Sequence, residues 1–323
     1  MSEPEVERAE GPVVGGIDGA RDTLVDGSTT GSSTSSIVDL FESAAAGRRA
    51  SLARLLSWVE RGGPRARRIG ELAYPLGGGA YTIGMTGAPG AGKSTLTDCL
   101  ISQARTEGQV AVVAVDPSSP FSGGAILGDR VRMADHATDQ GVYIRSMATR
   151  GHLGGLSLAV PEAIRLLDAV GFPVVLVETV GVGQVEVEVA GAADTTVVVV
   201  TPGWGDSVQA NKAGLMEIAD IFVINKADRP GVRQTERDLK SMLDLSLMGD
   251  WRPPIVRTVA SDDEGPAELW AEIVRHRLYN NESGALELRR AKRLEDELRR
   301  IVIRLLEQRA LGVWDGPAFE SRR

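Results

Sequence analysis

Cysteine is almost missing from this 323-residue chain: Cys99 is the single one, so no disulfide scaffold holds the fold together. It sits in the apolar stretch LTDCL, reads as a small buried hydrophobe, and has no second thiol for redox chemistry. Histidine is nearly as scarce. His136, His152 and His276 are scattered and form no ligand cluster for a soft or imidazole-preferring metal. Aromatic residues make up 4% of the chain, too few for a base-stacking surface. Positive charge is also in deficit: the formal net charge of -8 disfavours a nucleic-acid partner. No apolar run approaches the roughly 20 residues of a membrane span, so no membrane partner is expected. The start, MSEPEVERAEGP, is acidic, lacks an apolar signal core, and points to a cytoplasmic location.

What is present alternates. Residues 1–36 end in GSTTGSSTSS, a polar tract that buries little and reads as a disordered tail. From Ile37 the apolar residues recur three and four apart, which predicts a helical extension over 37–75. Residues 76–280 carry seven short β-branched runs, YTIGMTG, VAVVAVD, VYIRS, PVVLVET, TTVVVVTP, IFVIN and PPIVRTVA, separated by helix-length segments. Runs apolar on both faces predict an α/β fold with a mostly parallel sheet and helices on both sides. Residues 281–312 hold a long Arg-, Glu- and Leu-rich helix, with Leu288, Leu294, Leu298, Ile301 and Leu305 at helical spacing. It reads either as a helix packed on its own domain or as a dimerisation arm. Residues 313–323 are a tail.

GAPGAGKS, Gly87 to Ser94, follows the first run and precedes a helix, the setting of a phosphate-binding P-loop. Backbone N–H groups of Gly87, Ala88, Pro89's neighbours, Gly90, Ala91 and Gly92 would cradle phosphates, with Thr95 just inside the helix. Lys93 would reach the β- and γ-phosphates, and Ser94 would ligate Mg²⁺. NKAD, Asn225 to Asp228, stands at a later strand end. The Asp228 carboxylate can accept from both N1–H and the exocyclic amine of guanine, a donor pair adenine lacks. Asn225 and Lys226 belong to the same motif. In TVAS, Thr258 to Ser261, Ala260 is the expected backbone donor to the guanine carbonyl.

Three acids stand near strand ends or glycine loops: Asp116, Asp129 and Glu178. Acids at the C-terminal edge of a parallel sheet face the ligand crevice, where Mg²⁺ accepts one or two of them. In ETVGVGQ Glu178 fills the acidic slot. Val182, after Gly181, replaces the water-positioning Gln common in GTPases, so hydrolysis is expected to be slow or to need a partner; Gln184 is an alternative. Arg130, Arg132, Arg145, Arg150 and Lys212 are basic groups available to phosphate.

GAPGAGKST, AVDPSSPFSGGAILGDRVRM, RSMATRGHLGGL, ETVGVGQVEVEVAGAAD, TPGWGDSVQANKAGLMEIAD and NKAD occur in this order. Together they resemble the methylmalonyl-CoA-mutase-associated GTPases, the MeaB-like or ArgK-like family of the G3E group, over about residues 37–310. The resemblance implies a GTP/GDP-binding, Mg²⁺-dependent chaperone of an adenosylcobalamin-dependent acyl-CoA mutase, coupling hydrolysis to cofactor loading and protection. It implies a homodimer with helical extensions. It further implies metal or catalytic roles for Lys93, Ser94, Asp116, Asp129 and Glu178, and a switch loop from Gly203 to Lys212 in which Asp206, Gln209 and Lys212 link partner to hydrolysis. VASDDEG is more acidic than the family's usual stretch. A transport-associated ATPase or kinase, a metallochaperone GTPase and a membrane-targeting GTPase are the competing readings.

Overall fold

The computed structural model describes residues 30–116, 136, 138–148, 155–179, 191–204, 209–245 and 250–314. Each of the seven β-branched runs forms a strand: β1 Tyr81–Gly87, β2 Val110–Asp116, β3 Val142–Ala148, β4 Val174–Thr179, β5 Thr195–Val200, β6 Ile221–Asn225 and β7 Ile255–Thr258. They make one parallel sheet in the order β3-β2-β4-β1-β5-β6-β7. The chain leaves β1 toward β2 and β3, then returns through β4 and passes to the other side with β5. That reversal lies beside the end of β1, where ligands of open parallel sheets bind.

Alternation along the strands explains why both faces are apolar. Val110 and Val112 of β2 and Val174 and Leu176 of β4 enter one core, while Val113 and Val115, Val175 and Val177 enter the opposite one. The first face is covered by α4 (Lys93–Ala104) and α8 (Pro266–Glu282). The other is covered near β2–β4 by α1 (Thr30–Ala45), α2 (Arg49–Arg61), α3 (Pro64–Ala73) and α5 (Gly155–Ala169). Near β5 and β6 the helices α6 (Gln209–Ile218) and α7 (Val232–Leu245) take over. A period of two with two covered faces leaves little room for charge, so the central runs are mostly Val and Ile, and charged residues fall near strand C-termini (Asp116, Glu178) or on the edge strands β3 and β7 (Arg145, Arg257).

Two boundaries differ from the sequence reading. Helix α1 begins at Thr30, inside the tract assigned to the tail. Ile37, Phe41 and Ala44 pack into the core, and a helix nucleated by those contacts extends backwards through poor helix formers at little further cost. The last helix, α9, runs Ala285–Trp314.

The edge of the sheet opposite the P-loop is held by charge. Asp194, just before β5, is 1% exposed. It accepts the Thr82 N–H at 3.0 Å, Arg290 Nη2 at 2.6 Å and Arg293 Nη2 at 2.5 Å. Burial pushes its carboxyl up, and the two arginines outweigh this and hold it below the usual carboxylate range. Asp220, just before β6, accepts the Thr196 N–H at 2.8 Å and both Arg289 terminal nitrogens at 2.7 and 2.9 Å. The root of α9 is therefore fastened to the sheet.

His276 of α8 lies in the same cluster, 1% exposed. Its Nδ1 is 2.8 Å from Thr195 Oγ1 and its Nε2 is 3.3 Å from Asp220 Oδ1. Burial drives its pKa from 6.5 down to about 4, Asp220 pulling it up and Arg289 pushing it down. At neutral pH the ring is uncharged, so the contact with Asp220 is not an ion pair. The native state binds fewer protons than the unfolded chain between pH about 4 and about 6.5, so stability falls as pH drops through that window. The whole shift is worth on the order of 3 kcal/mol. Urea unfolding at about pH 7 and about pH 4.5 should show a smaller acid loss in His276→Asn than in the native chain.

Candidate functional site

The P-loop is built where β1 hands over to α4. Gly87 has φ 135°, and a Cβ there would stand 2.0 Å from the Val199 carbonyl oxygen of β5. Gly92 has φ 91°, and a Cβ there would meet Asn225 Nδ2 at 2.3 Å. Both positions demand glycine for close approach as well as for a left-handed backbone. Ala88, Pro89 and Gly90 form the exposed rim, and Thr95 is half-buried in the first turn of α4.

Lys93 and Ser94 open α4 with 5% and 6% exposure. Their backbone lies at a helix N-terminus, whose N–H groups and dipole favour an anion. Lys93 Nζ donates to the Gly87 carbonyl at 2.7 Å and the Ala88 carbonyl at 3.1 Å, so the ammonium is held over the loop. Ser94 Oγ donates to Glu178 Oε1 at 2.6 Å. Glu178 is 2% exposed near the C-terminal end of β4, beside Met85 of β1 and Ala114 of β2. A hydroxyl and a carboxylate thus converge at the strand ends, the hard-oxygen chemistry that Mg²⁺ requires. The residues present fit that ion.

Asp116 ends β2, and Lys212 and Gln209 lie on α6; their backbone is placed, while their side chains are outside the described residues. Asp129, Gly181, Val182, Gln184, Asp206, Arg130, Arg132 and Arg150 also fall outside them. Among the described residues no group of three or more His, Cys, Asp or Glu is placed to hold a metal. Arg145, read above as available to phosphate, instead pairs with Glu60 of α2 at 2.7 Å. A short 3-10 turn, Ala260–Asp262, follows β7.

The NKAD and TVAS segments meet the P-loop through Asn225, which is 2% exposed. Its Nδ2 donates to the Ala91 carbonyl at 2.8 Å, and its Oδ1 accepts Thr258 Oγ1 at 3.0 Å and the Ala260 N–H at 3.2 Å. Lys226, with φ 58°, donates from Nζ to the Gly90 carbonyl at 2.6 Å. Asn225 and Lys226 therefore brace the loop. Asp228 is exposed on the turn after them, and the Ala227 N–H bonds the Thr258 carbonyl at 3.0 Å. The Ala260 N–H, expected to face guanine, rests on Asn225.

Sequence reasoning missed this brace and one further contact. Cys99 of α4 donates its thiol to the Ala260 carbonyl at 3.4 Å, and burial, with Asp263 and Asp98 nearby, pushes that thiol up to about 11. Half-buried, it packs against the core beneath the Ala260–Asp262 turn. The glycine at position 92, too close to Asn225 for any side chain, was the one available signal of the brace.

Comparison with known proteins agrees with this geometry. A family model described as "Methylmalonyl Co-A mutase-associated GTPase MeaB" matches residues 52–314. A Pyrococcus abyssi protein named as a GTPase is 55% identical over 272 residues, covering 82% of this chain and 84% of its own. The mouse protein named "Methylmalonic aciduria type A homolog, mitochondrial" is 35% identical over 284 residues, covering 78% of this chain and 68% of its own. A solved structure described as "Crystal structure of LAO/AO transport system kinase" is 28% identical with a TM-score of 0.70, covering 89% of each chain. A P-loop joined to a guanine-type NKAD turn, in a sheet of this order and with these relatives, places the chain in the MeaB family of methylmalonyl-CoA-mutase-associated GTPases.

Proposed function

We propose that this protein is a GTP-hydrolysing chaperone of an adenosylcobalamin-dependent acyl-CoA mutase, coupling its nucleotide cycle to cofactor loading and to protection of the mutase. The family match across residues 52–314 carries this reading. The site supports it chemically. Lys93 neutralises the β- and γ-phosphates from a position fixed by loop carbonyls. The backbone N–H groups of residues 87–94, Pro89 excepted, donate to phosphate oxygens at the start of α4. Ser94 and Glu178, with Asp116 and Asp129, would hold Mg²⁺, which would supply charge neutralisation at the phosphates. Asp228 accepts from guanine, and Ala260 donates to its carbonyl once turned from Asn225. With Val182 in place of a water-positioning Gln, hydrolysis is slow until a partner completes the site. Lys212 couples that partner to turnover.

A homodimer belongs to the same reading. The first half of α9 is fastened by Arg289, Arg290, Arg293 and Glu297. Beyond it Leu298, Val302, Ile303 and Leu306 are 59, 47, 48 and 63% exposed. An apolar stripe on a helix with a rigid root fits a second copy of the chain. Leu298→Asp with Val302→Asp should yield monomers in sedimentation equilibrium; an unchanged dimer would place the interface elsewhere.

The name carried by the solved relative favours one other reading, a transport-associated ATPase or kinase. A carboxylate at Asp228 argues for guanine and against adenine, and parallel turnover assays with ATP separate the two. Among the described residues no helix is long and apolar enough to cross a membrane.

A further inference from the structure

Strand β3 is an edge of the sheet, and one backbone group at each of its ends is bonded by a single helix, α2. At the start of α2, Arg49 Nη2 donates to the carbonyl of Val142, the first residue of β3, at 2.5 Å, and to the Asp139 carbonyl. At the other end of the helix, Glu60 Oε1 accepts the N–H of Ala148, the last residue of β3, at 3.2 Å. Glu60 Oε2 accepts Arg145 Nη2 at 2.7 Å, and the same nitrogen reaches Ser57 Oγ at 3.1 Å. The dimensions agree: eleven helical steps rise about 16 Å and six strand steps cover about 20 Å. A straight helix therefore spans the strand and grips both ends.

The two grips are not needed to attach α2. Leu52, Leu55, Leu56 and Val59 already bury it in the same core as Val113, Val115 and Met147. What the Glu60 grip adds is local. Ala148 pairs in register with Asp116, the last residue of β2, and β2 in turn pairs Ala114 with Glu178 of β4. Fixing the Ala148 N–H fixes the outermost strand end on the edge of the sheet where the phosphate-site acids stand.

We infer that Glu60 is a positioning residue for GTP hydrolysis: from the N-terminal helical layer it sets the ends of β3 and β2, and through them the placement of the acids beside the P-loop. The inference rests on the GTPase reading. Its consequence is that the helical extension takes part in turnover rather than only covering a sheet edge.

The test compares the full-length chain with Glu60→Ala and Glu60→Gln. Gln keeps one oxygen to accept the Ala148 N–H while its NH2 no longer accepts from Arg145, whereas Ala removes both acceptors. In Glu60→Ala, kcat for GTP should fall about tenfold, with KM for GTP and Kd for GDP within about twofold of the native chain. Hydrogen exchange at Ala148 should accelerate in the same variant. In Glu60→Gln, kcat and exchange should both return to within about threefold of native values. An unchanged kcat in Glu60→Ala despite faster exchange would overturn the inference. So would equal falls in kcat, GDP affinity and melting temperature in both variants, which describe a structural contact alone. If the alanine variant does not fold, Glu60→Met, which fills similar space without an oxygen acceptor for the Ala148 N–H, should lower kcat without weakening GDP binding; unchanged turnover there overturns the inference equally. No GTP turnover by the unsubstituted chain strikes the GTPase reading itself and takes this inference with it.

Discussion

Lys93→Ala should reduce GTP affinity or turnover by at least about 100-fold while leaving the sheet intact. The lysine is 5% exposed at the first turn of α4, its Nζ bonded to the Gly87 and Ala88 carbonyls. Those partners hold the ammonium over a loop whose N–H groups are the other phosphate donors. Alanine keeps the helix, since it is the best helix former, and removes the one full positive charge built into the loop. The N–H cradle remains, which is why residual binding is expected. Titration with a fluorescent GDP analogue, alongside single-turnover hydrolysis, measures the two effects separately. Native affinity and turnover in this variant would refute the P-loop assignment.

Asp228→Asn should exchange nucleotide preference from guanine toward xanthine. Asp228 is exposed after the Asn225–Lys226 brace, so its replacement leaves the loop architecture alone and changes only what the turn presents to a base. A carboxylate accepts two hydrogens; an amide accepts at one atom and donates at the other, toward the xanthine 2-oxo group. A site built to pair such donors discriminates strongly when they are lost, by up to about 10⁴- to 10⁵-fold. Competition between GTP and XTP in the hydrolysis assay reads this out. A variant that keeps the native preference for GTP would move base recognition to another residue. A substitution at Asn225 would not be informative, because its amide supports Ala91, Thr258 and Ala260 at once.

The strands were legible because burial on both faces writes itself into sequence: TTVVVV and IFVIN could not be surface segments. The P-loop was legible because its chemistry is local, eight consecutive residues between a strand and a helix. Contacts between distant residues were not. Asn225 and Ala91 are 134 positions apart, and Glu60 and Arg145 are separated by 85; nothing in either neighbourhood announces the other. For α9, packing on its own domain was one of the two readings its sequence allows, but its partners were not legible: Arg289, Arg290 and Arg293 are committed to Asp220 and Asp194, two acids whose positions just before strands carry no helical signal. Thr30–Ser36 was assigned to the tail from its composition, because intrinsic propensity is blind to the packing of Ile37 and Phe41 that draws the helix back.

The central claim joins nucleotide hydrolysis to a mutase, and steady-state GTP hydrolysis tests it most directly. The purified chain would be assayed alone and with an adenosylcobalamin-dependent acyl-CoA mutase from the same organism, with ATP and an unrelated enzyme as controls. The account predicts slow turnover of GTP alone, stimulation by the mutase and by no control protein, and no comparable turnover of ATP. GTP turnover indifferent to every such mutase would contradict the chaperone reading and leave a GTPase with a different client.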